Sequence, residues 1–166
     1  MFFSKDYPTQ VIDKLWISGS TLSSDEKFIR ANNIRTIINC TSEVPNTFKP
    51  FYLAKTNHNP FLEYHQINVP ENPRSIHDFK TFYDSLLKLV PLVNYKLSSG
   101  SSVLIHCSDG NQRSATLVAA VMYYKYRKSH NCTMDQVVNH IKNIRRTAFL
   151  TKINYKQVLE EYIKIV

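Results

Sequence analysis

His106-Cys107-Ser108-Asp109-Gly110-Asn111-Gln112-Arg113-Ser114 is the stretch around which the chain is organised. The β-forming run Ser102-Val103-Leu104-Ile105 precedes it, and the largely apolar run Ala115 to Tyr124 follows. The pattern predicts a strand, one tight loop and a buried helix in immediate succession. A loop feeding a helix N-terminus turns successive backbone N–H groups toward one point, and the helix dipole adds positive potential there. Cys107 opens that loop and Arg113 closes it. A thiol in such a field ionises readily, and the thiolate is a nucleophile. The planar Arg113 fork suits two oxygens of one phosphoryl group, and the amides of Ser108 to Arg113 suit the charge that spreads over that group in transfer. Gly110 supplies a positive φ or a close backbone approach. Ser114 can donate a hydrogen bond to the sulfur as it leaves a cysteinyl-phosphate.

A bare Cys and Arg at this spacing arises by chance in roughly one chain in ten of this length. The flanking His, the internal Gly and the trailing Ser lower that to on the order of one in 10^4 to 10^5. A structural Cys beside an unrelated surface Arg is the bland alternative, and the strand-loop-helix setting weighs against it.

Outward from the loop, β and α patterns alternate. Met1 to Pro8 reads as a ragged terminus, and Gln10 to Ser18 as strand with a turn at Asp13-Lys14. Ser23-Ser24-Asp25-Glu26 predicts a capped helix to about Asn32, with Phe28 and Ile29 as its apolar face. Ile34 to Cys40 is a β-branched central strand, and Thr41 to Pro60 an irregular, Pro- and Asn-rich excursion. Glu63 to Val69 alternates as a strand, Pro70 to Arg74 forms a loop, and Ser75 with Asp78 caps a long helix that Pro91 should kink or end. Ser98 to Ser101 turns the chain into the signature strand. Thr133 and Gln136 form a second capping box, and Asn154 caps the last helix.

The chain has 166 residues, consistent with one domain over 1–166, and a formal net charge of +8. A basic surface suits anionic partners, phosphorylated proteins or RNA 5′ ends among them, although ordinary solubility explains it as well. Three cysteines without Cys-x-x-Cys spacing argue against a disulfide framework or zinc site and for a reducing, intracellular compartment, cytoplasmic or nuclear. No secretory h-region opens the sequence, and no apolar run is long enough to span a membrane.

The loop resembles the His-Cys-x-x-Gly-x-x-Arg-Ser/Thr signature of the Cys-based phosphatases, closest to the small dual-specificity branch and its compact viral members. Ile12-x-x-Leu15-Trp16-Ile17, Asn39-Cys40-Thr41 and Arg145 to Leu150 with Tyr155-Lys156 extend the likeness over roughly residues 9 to 163. It implies an α/β fold, a mixed four- to five-stranded central sheet flanked by helices. It also implies a two-step, metal-independent hydrolysis without cofactor, in which Cys107 attacks phosphorus and water then cleaves the cysteinyl-phosphate. His106 becomes a structural imidazole that favours the thiolate. The family's general acid is an Asp just after the strand before the long helix; Glu71 matches that position, with Asp78 as rival. Asp109 stands where Ala is frequent and Gln112 where Ser or Asn is; neither forbids catalysis, and the negative charge of Asp109 slightly opposes an anionic ligand. Cys40 reads as a buried apolar residue, with a redox partnership to Cys107 as the alternative. Arg145 and Arg146 read as a solvated helix end, with a second phosphate site as the alternative.

The leading reading is a phosphatase acting on phosphotyrosine and phosphoserine/threonine in proteins. An RNA 5′-triphosphatase on the same loop is the first alternative, though that branch carries a second His and a final Gly where this chain has Asp109 and Ala115. Phosphoinositide enzymes place a Lys inside the loop, and residues 108 to 112 have none. A weakly active phosphoprotein-binding module is the remaining alternative, against which the intact Cys107 and Arg113 stand.

Overall fold

A computed structural model describes residues 6–48 and 62–166. Five strands form one sheet: β1 (Thr9–Ile12), β2 (Leu15–Ser18), β3 (Ile34–Asn39), β4 (Glu63–Gln66) and β5 (Ser102–His106). Their spatial order is β1-β2-β5-β3-β4, with β1 antiparallel to β2 and the other pairs parallel. The sheet is therefore mixed, and β5, which carries the signature, is its centre. All five β5 residues are buried, as expected for a strand covered on both faces.

Six helices are described: α1 (Ser20–Ser23), α2 (Glu26–Ala31), α3 (Ile76–Ser98), α4 (Arg113–Tyr126), α5 (Met134–Ile144) and α6 (Lys156–Ile163). The period-2 alternation of the strands divides the core in two. Leu15, Ile17, Ile38, Val103 and Ile105 face α3 to α6, while Ile34, Ile37 and Leu104 face Ile29 of α2 and Phe48. Helix α4 lies between the sheet and its neighbours α3, α5 and α6. Its residues 113–122 are buried without exception, so the helix starting at the signature loop is rigidly held. No helix among the described residues is long and apolar enough to cross a membrane.

Several sequence expectations hold in detail. The turn at Asp13-Lys14 is present, with Lys14 in the left-handed region at φ 63°. Thr133 and Gln136 make both bonds of the capping box. At the end of α3, Gly100 takes φ 83°, and the bonds Gly100 N to Leu97 O and Ser101 N to Lys96 O form a Schellman cap.

Other expectations are corrected. Helix α2 is capped by Asp25, whose carboxylate accepts from Phe28 N at 3.1 Å. Ser23 ends α1 instead, with its hydroxyl donating back to Ser20 O at 2.9 Å. Pro91 does not stop α3, which continues to Ser98. Leu87, whose carbonyl loses its partner, and Pro91 are both exposed, while Leu89, Val90 and Val93 stay packed; burial outweighs the local penalty. Strand β4 ends at Gln66, not at Val69. Residues 6–8 are not ragged: the Asp6 carboxylate accepts from Gly19 N at 2.8 Å and Leu22 N at 3.0 Å. The expectations for residues 1–5 and 49–60 lie outside the described residues.

Candidate active site

The loop from Cys107 to Gln112 is shaped from outside. Its carbonyls are engaged one after another: Cys107 O by His106 Nδ1 at 3.3 Å, Ser108 O by Ser20 N at 2.9 Å, and Asp109 O by Arg145 Nη2 at 3.0 Å. Gly110 O accepts from Arg145 Nε at 2.8 Å, Asn111 O from Phe149 N at 3.0 Å, and Gln112 O from Thr116 N at 2.9 Å. In a trans peptide the N–H points opposite to the C=O. Carbonyls drawn outward thus turn the following amides toward the loop's interior, where an anion nest forms at the start of α4. Gly110 sits at φ 78°, and a Cβ there would meet Arg145 Nη2 at 2.5 Å and Ser18 O at 2.7 Å. Only glycine fits this close approach.

Cys107 is buried, and its Sγ lies 3.1 Å from Ser114 Oγ. The two side chains that the chemistry needs to exchange a hydrogen bond are therefore together. His106 is buried, and desolvation lowers its pKa to about 4 against the opposing pull of its bond to Cys107 O. The imidazole is neutral near pH 7, which suits a structural donor to the loop rather than a charged partner of the sulfur. Asp109 Oδ1 accepts from Asn111 N at 3.0 Å and stands 3.9 Å from the sulfur. This departure from the commonest motif thus occupies one loop amide. Cys40 follows the neighbouring strand β3, beside the nucleophile, with its N–H donating to His106 O at 2.8 Å. Burial, and then Cys107, push its thiol pKa well up.

Arg113 is buried, and both its Nη atoms are engaged. Nη1 donates to Glu43 Oε2 at 2.9 Å and to Val69 O at 3.0 Å, and Nη2 donates to Glu43 Oε1 at 2.5 Å. Nε is buried with no hydrogen-bond partner among the described residues. The Arg113 guanidinium holds the Glu43 carboxyl below its ordinary range. Burial, the largest single influence, opposes the arginine's charge, but Glu43, Cys107 and Glu71 together outweigh it and raise the arginine pKa. Glu43 was not legible as a site residue, because it sits in the Thr41 to Pro60 excursion. Asn39 and Thr41 fix it there. Thr41 N and Oγ1 donate to Asn39 Oδ1, Val44 N donates to Thr41 Oγ1, and Asn39 Nδ2 donates to Val44 O.

The chain belongs to the dual specificity phosphatase family. The family model "Dual specificity phosphatase, catalytic domain" matches residues 15–165. The chain is 24% identical over 157 residues to protein phosphatase Slingshot of Drosophila melanogaster, covering 95% of this chain and 13% of that protein. It is 24% identical over 153 residues to human dual specificity protein phosphatase 14, covering 92% of this chain and 67% of the relative. The structure of human DUSP28 superposes with a TM-score of 0.72 at 14% identity, covering 95% of this chain and 93% of that one. The chain thus spans only a small part of the Slingshot proteins it matches.

Within this family fold, the candidate acid loop approaches Arg113 from the β4–α3 connection. Val69 O is bonded to Arg113, and Glu71 follows two residues later. Glu43, Glu71 and Asp78 line one open cavity. Asp78 Oδ2 accepts from Arg74 N at 2.7 Å and so closes the loop that carries Glu71; the capping box expected of Ser75 and Asp78 is not formed, because this bond goes to the residue before the N-cap. Ser75 is the N-cap of α3 without a side-chain bond.

Two further expectations are corrected here. Arg145 is not a solvated helix end: it is buried, bonded to two loop carbonyls, to Tyr7 O and to Thr9 Oγ1. Its guanidinium lies 4.6 Å over the Tyr7 ring. Asn154 does not cap α6, whose N-cap is Tyr155; its amide donates to Glu71 O at 3.0 Å instead.

Proposed function

We propose that this chain is a Cys-dependent protein phosphatase that hydrolyses phosphotyrosine and phosphoserine/threonine esters through a cysteinyl-phosphate. The observation that carries this reading is the loop itself. A buried thiol lies 3.1 Å from Ser114 Oγ, in a ring of inward amides closed by an arginine whose buried Nε has no partner among the described residues. A phosphoryl oxygen supplies the acceptor that this Nε lacks.

In the first step the Cys107 sulfur attacks phosphorus, and the bond to the ester oxygen breaks. Inward amides and Arg113 hold the three equatorial oxygens. Glu71, protonated, gives its proton to the departing oxygen. In the second step water attacks the cysteinyl-phosphate, Glu71 takes a proton from it, and the sulfur leaves as thiolate with Ser114 Oγ donating to it. Products are the free hydroxyl and inorganic phosphate. Glu43 acts on Arg113, keeping the guanidinium charged and oriented. The mechanism needs a free thiol, and Cys40, Cys107 and Cys132 are unbridged, which supports a reducing intracellular setting, cytoplasmic or nuclear.

A substrate panel tests the reading. Phosphotyrosine and phosphoserine peptides, phosphoinositides and triphosphate-ended RNA are each assayed for phosphate release, with Cys107→Ser as control. Turnover of both peptides, lost in the control, supports the proposal; turnover of RNA alone replaces it with the RNA 5′-triphosphatase reading. Binding of phosphopeptide without turnover makes the chain a capture module.

A further inference from the structure

The nucleophile loop and the acid loop are joined by a third segment, residues 152–155, through four hydrogen bonds that lie on no catalytic atom. Gln112 uses both ends of its side-chain amide on this segment. Its Nε2 donates to Lys152 O at 2.8 Å, and its Oε1 accepts from Asn154 N at 3.0 Å. The segment then grips the acid loop with two adjacent side chains. Asn154 Nδ2 donates to Glu71 O at 3.0 Å, and Tyr155 Oη donates to Pro70 O at 2.6 Å. The Tyr155 ring is itself fully buried and in edge contact with Phe82 at 4.7 Å and Phe79 at 5.7 Å.

We infer that Asn154 and Tyr155, anchored to the phosphate loop through Gln112, are positioning residues that set Glu71 relative to Cys107. This rests on the reading of Glu71 as the proton donor. The physical reason is the side chain's length. A glutamate has one more rotatable bond than the aspartate usual at that position, so its carboxyl is the less confined by its own backbone. Fixing the Glu71 and Pro70 carbonyls from one side, with Asp78 closing the loop at Arg74 from the other, removes the backbone's share of that freedom. Because the anchor is a residue of the nucleophile loop, the two reacting groups move as one body. Proton donation is sensitive to displacements of about 1 Å, which cost on the order of 100-fold in rate.

The test uses Asn154→Ala and Tyr155→Phe on the full chain. The second variant removes only the hydroxyl and keeps the ring in its packing, so it folds as the parent does; thermal melts check both. Each is assayed on an alkyl ester, a phosphoserine peptide, and on p-nitrophenyl phosphate, whose leaving group departs without a proton. We expect kcat on the alkyl ester to fall about 10-fold or more for Asn154→Ala and a few-fold for Tyr155→Phe. The KM should stay constant, the aryl rate should change by less than about 2-fold, and the basic limb of the alkyl pH profile should flatten. Combined with Glu71→Gln, neither substitution should add to the alkyl defect. Equal losses on both substrates, a loss carried by KM, or full additivity with Glu71→Gln would overturn the inference. If Glu71→Gln itself shows no leaving-group dependence, the acid assignment fails and the positioning role with it. If Glu71→Gln does and the Asn154 and Tyr155 variants do not, the positioning role alone fails.

Discussion

Replacing Arg145 by Met separates a buried brace from a solvated helix end. The guanidinium makes four hydrogen bonds, to Gly110 O, Asp109 O, Tyr7 O and Thr9 Oγ1, at 2.7 to 3.0 Å. Bonds from a charged donor are worth about 1.5–3 kcal/mol each, but burying the charge offsets several kcal/mol of that sum. Burial does pull the Arg145 pKa down, the direction that desolvation dictates. Met restores apolar contact but leaves the carbonyls without their donor, so a net loss of about 3 kcal/mol is expected. A second effect is on the reaction. With Asp109 O and Gly110 O released, the two peptide planes that contain them are free to rotate, and the Gly110 amide can turn away from the phosphoryl group. Losing one such donor costs about 100-fold or more, some 2.7 kcal/mol at the transition state. Urea unfolding followed by Trp16, the chain's one tryptophan, gives the first quantity, and kcat/KM on an aryl phosphate gives the second. Arg146→Met is the control, because Arg146 is exposed and should change stability by less than about 0.5 kcal/mol. If the two variants unfold at the same urea concentration and turn over at the same rate, the bracing of the loop from outside is wrong.

Four further expectations follow from the site. Cys107→Ser abolishes turnover, and iodoacetate inactivates the parent unless phosphate is present; an active Ser variant would remove the covalent mechanism. Arg113→Lys keeps the charge but cannot span both Glu43 oxygens or present a fork to phosphate, so kcat/KM falls at least about 100-fold; a few-fold change in the same assay refutes bidentate binding. Glu71→Gln slows alkyl esters far more than aryl esters, whereas Asp78→Asn weakens a loop-closing bond and lowers stability by about 1 kcal/mol; the reverse pattern in parallel kinetics and melts exchanges their roles. For His106, held at about 4 in the fold, the unfolded chain binds a proton below about 6.5 that the native state refuses. Stability therefore falls as pH falls through that window, by about 2 kcal/mol between about pH 7.5 and 5, and urea midpoints of the parent and His106→Gln should converge by that amount; a constant gap contradicts the buried neutral imidazole.

The sheet was legible because local pattern and burial agree in it. Val103, Leu104 and Ile105 are apolar in succession, as a strand covered on both faces requires, and the structure sets them at the sheet's centre with helices on either side. The misread helix ends share one cause. Ser23 and Asp25 both offer an oxygen at an acceptable spacing, and the choice between them is made by α1, a one-turn helix too short to leave a pattern. Pro91 does not end α3, because three apolar residues around it are buried against α4 and α6, a fact of tertiary packing.

The site divides along the same line. Cys107, Arg113 and Ser114 lie within one turn of chain, so their spacing alone encodes their proximity. The partners that reach them from other elements lie far off in sequence: Glu43 is 70 residues from Arg113, Arg145 is 35 from Gly110, and Asn154 is 42 from Gln112. Such partners leave no periodicity, and Glu43, exposed among Pro and Asn, reads as a solvated charge until its bond to Arg113 is seen. What the sequence did hold was indirect. An unpaired buried arginine is too costly to persist, so a signature that buries Arg113 at the start of an apolar helix requires a carboxylate from elsewhere in the fold. The one described carboxylate that meets it, Glu43, follows Asn39-x-Thr41 at the carboxyl end of the strand beside β5. Parallel strands deliver their carboxyl ends to one edge of the sheet. The Asn-x-Thr sequence is thus the turn that carries the counter-charge to the nucleophile loop.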